Sequence, residues 1–218
     1  IPTHKSIIGD LTNYFVRQVK EQGVRTVLGH EASAQQLITE KPDVVILASG
    51  SRPLIPKIPG IDSGKVMSVN DALTGPGRLG KRVVIIGGGL VGCETAEFLA
   101  DNGHEVTIIE MRPEIAIGVG PSTRPLLLER LALKGIVSHC DVRCDKVDDK
   151  GVAISGKDGT RKVIEADTVV LAAGAISNRD LVKALEGQVP EVHLVGDCVE
   201  PRCIADAVEE GARIGLAI

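Results

Sequence analysis

The stretch Lys81-Arg-Val-Val-Ile-Ile-Gly-Gly-Gly-Leu-Val-Gly-Cys-Glu94, closed by Val106-Thr-Ile-Ile-Glu110, decides the reading of this chain. It predicts a strand, a glycine turn, a helix, a second strand, and an acid at that strand's end. That is the layout of a dinucleotide-binding βαβ unit. Gly87 turns the chain out of the strand, Gly89 lets a pyrophosphate approach the backbone, and Gly92 lets helix and strand pack closely. The helix beginning at Leu90 and Val91 aims free N–H groups and the positive dipole end at the phosphates.

The surroundings agree with this reading. Val83 to Ile86 is an unbroken apolar run, as a strand buried on both faces requires. Val91, Phe98 and Leu99 fall at helical spacing, and Gly103 sits where a C-cap glycine belongs. Glu110 is placed to accept hydrogen bonds from both hydroxyls of an adenosine ribose, and it would repel a 2′-phosphate, which favours NAD(H) over NADP(H). Arg112 works against that preference, because its guanidinium could pair with such a phosphate or stack on adenine.

Composition bounds the rest. The 218 residues suffice for one large or two small cores, with 43% hydrophobic and 25% charged residues. Twenty-five glycines beside two Phe, one Tyr and no Trp suit tight turns and nucleotide loops. The net charge of −4 and the lack of any basic run argue against nucleic acid as a partner. No apolar segment approaches membrane-spanning length and no signal-peptide pattern opens the chain, so a cytoplasmic location is the default expectation. The five cysteines include no Cys-x-x-Cys pair, and reduced thiols are expected. Ser138-His-Cys140 with Cys144 matches no standard zinc spacing, so no metal site is assigned. No histidine has a spaced partner for acid–base or nucleophilic work, and no catalytic residue is assigned.

Along the chain, His4 to Gln22 reads as an amphipathic helix with Ile8, Leu11, Tyr14, Phe15 and Val19 on its apolar face. Val24 to Leu28 reads as a short strand, Asp43 to Gly50 as a buried strand, and the proline-marked Ser51 to Gly60 as an extended connector. Beyond Glu110, a helix is expected over Ser122 to Lys134, then strands near Ile136, Arg143 and Val152, with a hairpin turn at Lys157 to Thr160. Asp167-Thr-Val-Val-Leu-Ala-Ala-Gly174 repeats the form of Asp43 to Gly50, which suggests two related nucleotide-binding units. Glu191 to Asp197 is a further strand, ending in Gly196-Asp197 before a helix from Ile204 to Ile218. There Asp197 could hydrogen-bond a ribityl hydroxyl while the helix start faces phosphates.

Taken together, Ala48-Ser49-Gly50, Gly87 to Glu94, Ala172-Ala-Gly174 and Val195-Gly196-Asp197 occur in the order of the two-dinucleotide-binding-domain flavoprotein reductases. The opening Ile1-Pro-Thr-His-Lys to Val24 and the stretch Asp43 to Gly60 resemble NADH:flavin oxidoreductases of the old yellow enzyme type, with the 2,4-dienoyl-CoA reductase and trimethylamine dehydrogenase branch as its best-known group. The resemblance implies an α/β fold, with a Rossmann-like three-layer NAD(P)-binding domain inserted in a truncated FAD/NAD(P)-binding domain. It implies a partial FAD domain over 1–78, an NAD(H) domain over 79–187, and a return into the FAD domain over 188–218. Ser49, Gly50, Gly174, Gly196, Asp197 and Ala205 are then cofactor-binding positions, and Glu94 lies near the nicotinamide end.

Only one glycine-rich βαβ unit is present, so a piece of a longer enzyme is expected. The FAD site is then incomplete, the piece inactive alone, and a homo-oligomer formed over exposed apolar surface. The barrel with FMN, an iron–sulfur cluster and the substrate site would lie elsewhere in the parent, whose FAD would take hydride from NADH. Two other readings stand beside this one: a non-catalytic adenine-nucleotide module, and a small stand-alone FAD-dependent NADH reductase.

Overall fold

The structure, a computed structural model, describes residues 5–218; the expected helix start at His4 and the opening Ile1–His4 of the resemblance lie outside the described residues. In chain order the elements are α1 (Ser6–Glu21), α2 (Ala34–Glu40), β1 (Val44–Leu47), β2 (Ser51–Pro53), β3 (Val66–Ser68), α3 (Val69–Thr74), β4 (Arg82–Ile86), α4 (Leu90–Asp101) and β5 (Glu105–Ile109). Then follow α5 (Arg124–Leu133), β6 (Val137–His139), β7 (Val142–Asp148), β8 (Gly151–Gly156), β9 (Arg161–Glu165), β10 (Thr168–Leu171), β11 (Ala175–Ser177), α6 (Asp180–Leu185), β12 (Glu191–Leu194) and α7 (Ile204–Gly215). They form two compact units, Pro53–Gly174 and Lys5–Arg52 with Ala175–Ile218, so the first interrupts the chain of the second.

The Pro53–Gly174 unit is built on a parallel sheet of order β3-β10-β4-β5-β6. Side chains alternate across a strand, and here both faces are covered. Val83, Ile85, Val106, Ile108 and Val170 point to a core shared with Leu99 of α4 and with Leu127 and Leu131 of α5. Val84, Ile86, Ile109 and Val169 point the other way, onto Val147, Val152, Ile154 and Ile164 of the antiparallel sheet β7-β8-β9. The apolar run seen in the sequence is therefore a central strand in a three-layer α/β unit. Each fully buried Val or Ile of it contributes about 2 kcal/mol.

β3 pairs with β10 through Val66↔Val169 and Met67↔Val170, so residues 66–68 belong to this sheet. The compact units accordingly part at 52/53 and 174/175, where the sequence reading divides at 78/79 and 187/188.

At the N-terminal end of β4, Arg82 donates from its backbone N–H to Asp167 Oδ2 (2.9 Å) and from Nη2 to Oδ1 (2.7 Å). These bonds hold the Asp167 carboxyl at about 2, against 3.8 ordinarily. A depressed carboxyl stabilises the fold above its unfolded pKa and loses that contribution as pH falls through the folded value. Asp167→Asn should therefore flatten the pH dependence of unfolding free energy between about pH 4 and pH 2. Urea titrations across that window would check it; an unchanged slope would assign the acid sensitivity to other depressed carboxyls such as Asp148 and Asp158.

In the other unit, β1 and β12 pair in parallel from Val44↔Glu191 to Leu47↔Leu194, and β2 pairs with β11. Val45, Leu47, Leu185, Val189 and Cys198 form its core, with Leu37 and Ile38 of α2 and Leu181 and Val182 of α6 packed against them. The helix α1 forms as its periodicity predicts, but none of its residues is buried. Ile7, Leu11, Tyr14, Phe15, Val16 and Val19 stay exposed.

Val24 to Leu28 forms no strand, because among the described residues no strand lies alongside to offer it a ladder of hydrogen bonds. The connector at Ser51 does form one, β2, because β11 lies alongside. The short helices α2, α3 and α6 are not visible in the sequence, since six or seven residues carry too little periodicity.

Candidate functional site

The glycine turn lies at the C-terminal ends of the parallel strands. Here the chain from β4 crosses to β5 on one side, while β10 flanks the other, the kind of reversal of strand order at which open α/β sheets bind ligands. Gly87 takes φ +110°, and a Cβ there would stand 2.3 Å from the Ala172 carbonyl oxygen. At Gly92 a Cβ would stand 2.0 Å from the Gly87 carbonyl oxygen, so α4 sits directly on the turn. Gly89 is the N-cap of α4, no side chain caps that end, and a Cβ on Gly89 would meet only Arg112 Nη2, 4.0 Å away. The turn thus has three crowded glycines, Gly87, Gly88 and Gly92, that set its shape, and one open glycine, Gly89. The amides of Leu90, Val91 and Gly92 lie in the first turn, where N–H groups have no partner within the helix. An open backbone face at an uncapped helix start fits a pyrophosphate.

Glu110 follows β5 directly and is only 7% exposed. Its Oε2 accepts the Gly88 N–H at 2.7 Å and its Oε1 the Arg112 N–H at 2.9 Å, with Arg112 Nε 3.5 Å from Oε1. Each carboxylate oxygen keeps a second lone-pair direction for a ribose hydroxyl. The Arg112 guanidinium, half exposed, lies between the open Gly89 and the acid. Met111 lines a cleft of about 290 Å³ with Asp141, Arg143 and Lys157.

Glu94 is half-buried on α4, and its charge acts on both Cys93 and Arg130. One turn on, Glu97 is buried and receives two parallel bonds from Arg130 of α5, Nε to Oε1 at 2.7 Å and Nη2 to Oε2 at 3.1 Å. Burial pushes the Cys93 and Cys144 thiols up to about 11, and Cys140 upward as well, so these thiols stay protonated at neutral pH. Among the described residues, no group of three or more His, Cys, Asp or Glu is placed to hold a metal ion.

The second set of sequence-selected residues gathers in the other unit. Ser49 Oγ donates to the Asn178 carbonyl (2.7 Å) and lies 3.3 Å from Cys198 Sγ, while Gly50, at φ +69°, accepts the Asn178 N–H at 2.9 Å. Half-buried Asp197 accepts from Ser51 Oγ at 3.1 Å and from the Arg202 N–H at 3.3 Å. Gly196 takes φ +66° and donates its N–H to Glu210 Oε2 at 2.7 Å. Ala205 is exposed in the first turn of α7, whose N-terminus is closed by a capping box between Cys203 and Asp206. Asp197 and the strand-end backbone therefore offer hydrogen-bonding groups, but the helix end is already capped. Gly174 belongs to the first unit, at φ +106°, and accepts the Leu54 N–H at 2.9 Å.

Sequence reasoning missed the hold on Gly88, the pairing of buried Glu97 with half-exposed Arg130, and the segment Ile115-Ala116 packed on the glycine turn. The twin glycines at 118 and 120 mark a looping segment after β5, but nothing local shows where it folds.

The chain is 37% identical over 206 residues to the NADH oxidase of Thermoanaerobacter brockii, covering 92% of this chain and 32% of that protein. It is 36% identical over 218 residues to the bilirubin reductase of Mediterraneibacter gnavus, covering 97% and 33%. The chain thus spans about a third of the length of these curated relatives. Among solved structures, a 2-naphthoyl-CoA reductase in complex with 2-naphthoyl-CoA superposes with a TM-score of 0.88 at 36% identity, over 94% of this chain and 31% of that one. The family model for pyridine nucleotide-disulphide oxidoreductases matches residues 7–211, and the chain belongs to that family.

Proposed function

We propose that residues 79–187 form the NAD(H)-binding domain, and residues 1–78 with 188–218 part of the FAD-binding domain, of a flavin-dependent oxidoreductase. Within the family, the old yellow enzyme, 2,4-dienoyl-CoA reductase and trimethylamine dehydrogenase group is the branch that fits best. The observation that carries this reading is the open, uncapped turn at Gly89 set beside the buried acid Glu110. The likeness to an NADH oxidase and to a naphthoyl-CoA reductase over nearly the whole chain supports it.

In this reading the amides from Gly89 to Val91 hold the pyrophosphate, Glu110 accepts from the adenosine ribose, and Arg112 flanks it. Glu94 lies at the nicotinamide end. Ser49, Gly50, Gly196, Asp197 and Ala205 are flavin-binding positions, and Gly174 is a further cofactor-binding position. The chemistry supplied by the bound cofactors is hydride transfer from NADH to FAD, and the protein's share is to hold the two. FMN and an iron–sulfur cluster belong, in this reading, to other parts of such an enzyme, where an organic substrate would also bind.

Calorimetric titration with NADH, NADPH, ADP and FAD tests the proposal. NADH is expected to bind in preference to NADPH. Glu110→Ala should weaken NADH binding about tenfold, the effect of losing a charged hydrogen-bond acceptor, and should narrow the preference over NADPH. Unchanged affinities for both would remove Glu110 from the ribose site. ADP binding as tightly as NADH, with no dye or flavin reduction, would favour a nucleotide-binding module without turnover.

A further inference from the structure

Gly88, the middle residue of the glycine triplet, is held through both of its peptide groups. Its N–H donates to Glu110 Oε2 at 2.7 Å, and its carbonyl accepts the Ala116 N–H at 2.6 Å. Both partners are buried, Glu110 at 7% exposure and Ala116 at 0%. Ala116 takes φ +57°, a left-handed conformation that alanine seldom adopts, so its surroundings must hold it there. Ile115 Cγ2 fills the place beside Gly88, 2.6 Å from where a Cβ would stand, and Arg124 Nη2 secures the Ile115 carbonyl at 3.0 Å. Glu110 Oε1, the other oxygen, binds the Arg112 N–H.

A carboxylate serving only a bound ribose has no need of the phosphate turn, yet here one oxygen fixes it. We infer that Glu110 is a positioning residue for the phosphate-facing turn as well as a ribose ligand, acting through the Gly88 N–H. This rests on the dinucleotide reading above. With the Gly88 amide turned inward onto Glu110, its neighbours Gly89 and Leu90 are left facing outward. Without the acid, Gly88 is held through its carbonyl alone, by the Ala116 N–H and the Cys93 thiol, and the first turn of α4 loses its preset aim at the pyrophosphate.

The test pairs two ligands with two proteins: NADH and its analogue with 2′,3′-dideoxyadenosine, against the unaltered chain and Glu110→Ala, which leaves no acceptor for the Gly88 N–H. A pure ribose role predicts that the substitution costs nothing with the analogue, which has no hydroxyl to lose. The positioning role predicts that the analogue still binds Glu110→Ala about tenfold more weakly than the unaltered chain. Equal analogue affinities would overturn it. A second readout needs no dinucleotide. In the ligand-free chain the Gly88 amide hydrogen should exchange slowly with solvent, and faster in Glu110→Ala. A Gly88 amide exchanging at open-loop rates in the unaltered chain would overturn the inference, even if Glu110→Ala fails to fold. No NADH binding beside a protected Gly88 amide would overturn the dinucleotide reading and leave Glu110 as the anchor of the turn.

Discussion

Gly92→Ala is expected to destabilise the Pro53–Gly174 unit by about 3 kcal/mol and to abolish dinucleotide binding with it. The added Cβ would lie 2.0 Å from the Gly87 carbonyl oxygen and 3.3 Å from the Ala172 Cβ. The first obstacle is backbone, which has no rotamer to change, so α4 must lift from β4. That displacement opens the core formed by Cys93, Ala96 and Leu99 against Val83 and Ile85. It also moves the first-turn amides beside the glycine turn. Gly89→Ala is the control, because a Cβ there meets only the end of Arg112. It should leave stability within about 1 kcal/mol and weaken only binding, by filling the pyrophosphate's place. Urea unfolding and NADH titration of both variants separate the two roles. Equal stability losses at the two positions would mean that the helix does not rest on the turn as described.

Arg130→Met is expected to cost about 2 kcal/mol, below the range for breaking a fully buried ion pair because the arginine is half exposed. The Glu97 side chain is 4% exposed and holds both of its oxygens toward the guanidinium, whereas the Arg130 side chain is 43% exposed. Removing the arginine leaves a carboxylate without its bidentate partner in a low-dielectric place. The double variant with Glu97→Met should recover most of the loss, since it removes the charge together with its partner. Denaturation midpoints of the single and double variants decide the matter. A double variant less stable than Arg130→Met would mean that shape, rather than charge, dominates the contact between α4 and α5.

The glycine turn, α4 and the acid after β5 were legible because a βαβ unit is nearly local. Its strand run, helix spacing and the left-handed Gly103 just past the C-cap follow one another within thirty residues. There, binary pattern and turn chemistry agree, and agreement between levels is what makes a segment readable. The same rules failed at Val24 to Leu28. Its composition suits a strand, but a strand exists only where a neighbour supplies a ladder. They also showed no strand over residues 66–68, because pairing with β10 is a contact across about a hundred residues.

By itself, the sequence determined the α/β character of this chain, its central strand, its glycine turn and the acid at the end of β5. Each of these depends on side chains close together along the chain, where periodicity and glycine placement act directly. Tertiary structure alone decided that α5 would answer Glu97 with Arg130, that an antiparallel sheet would cover the far face of β4, and that Ala116 would close on Gly88. Those contacts join segments whose local patterns say nothing of one another, and only the packing of the core brings them within bonding distance.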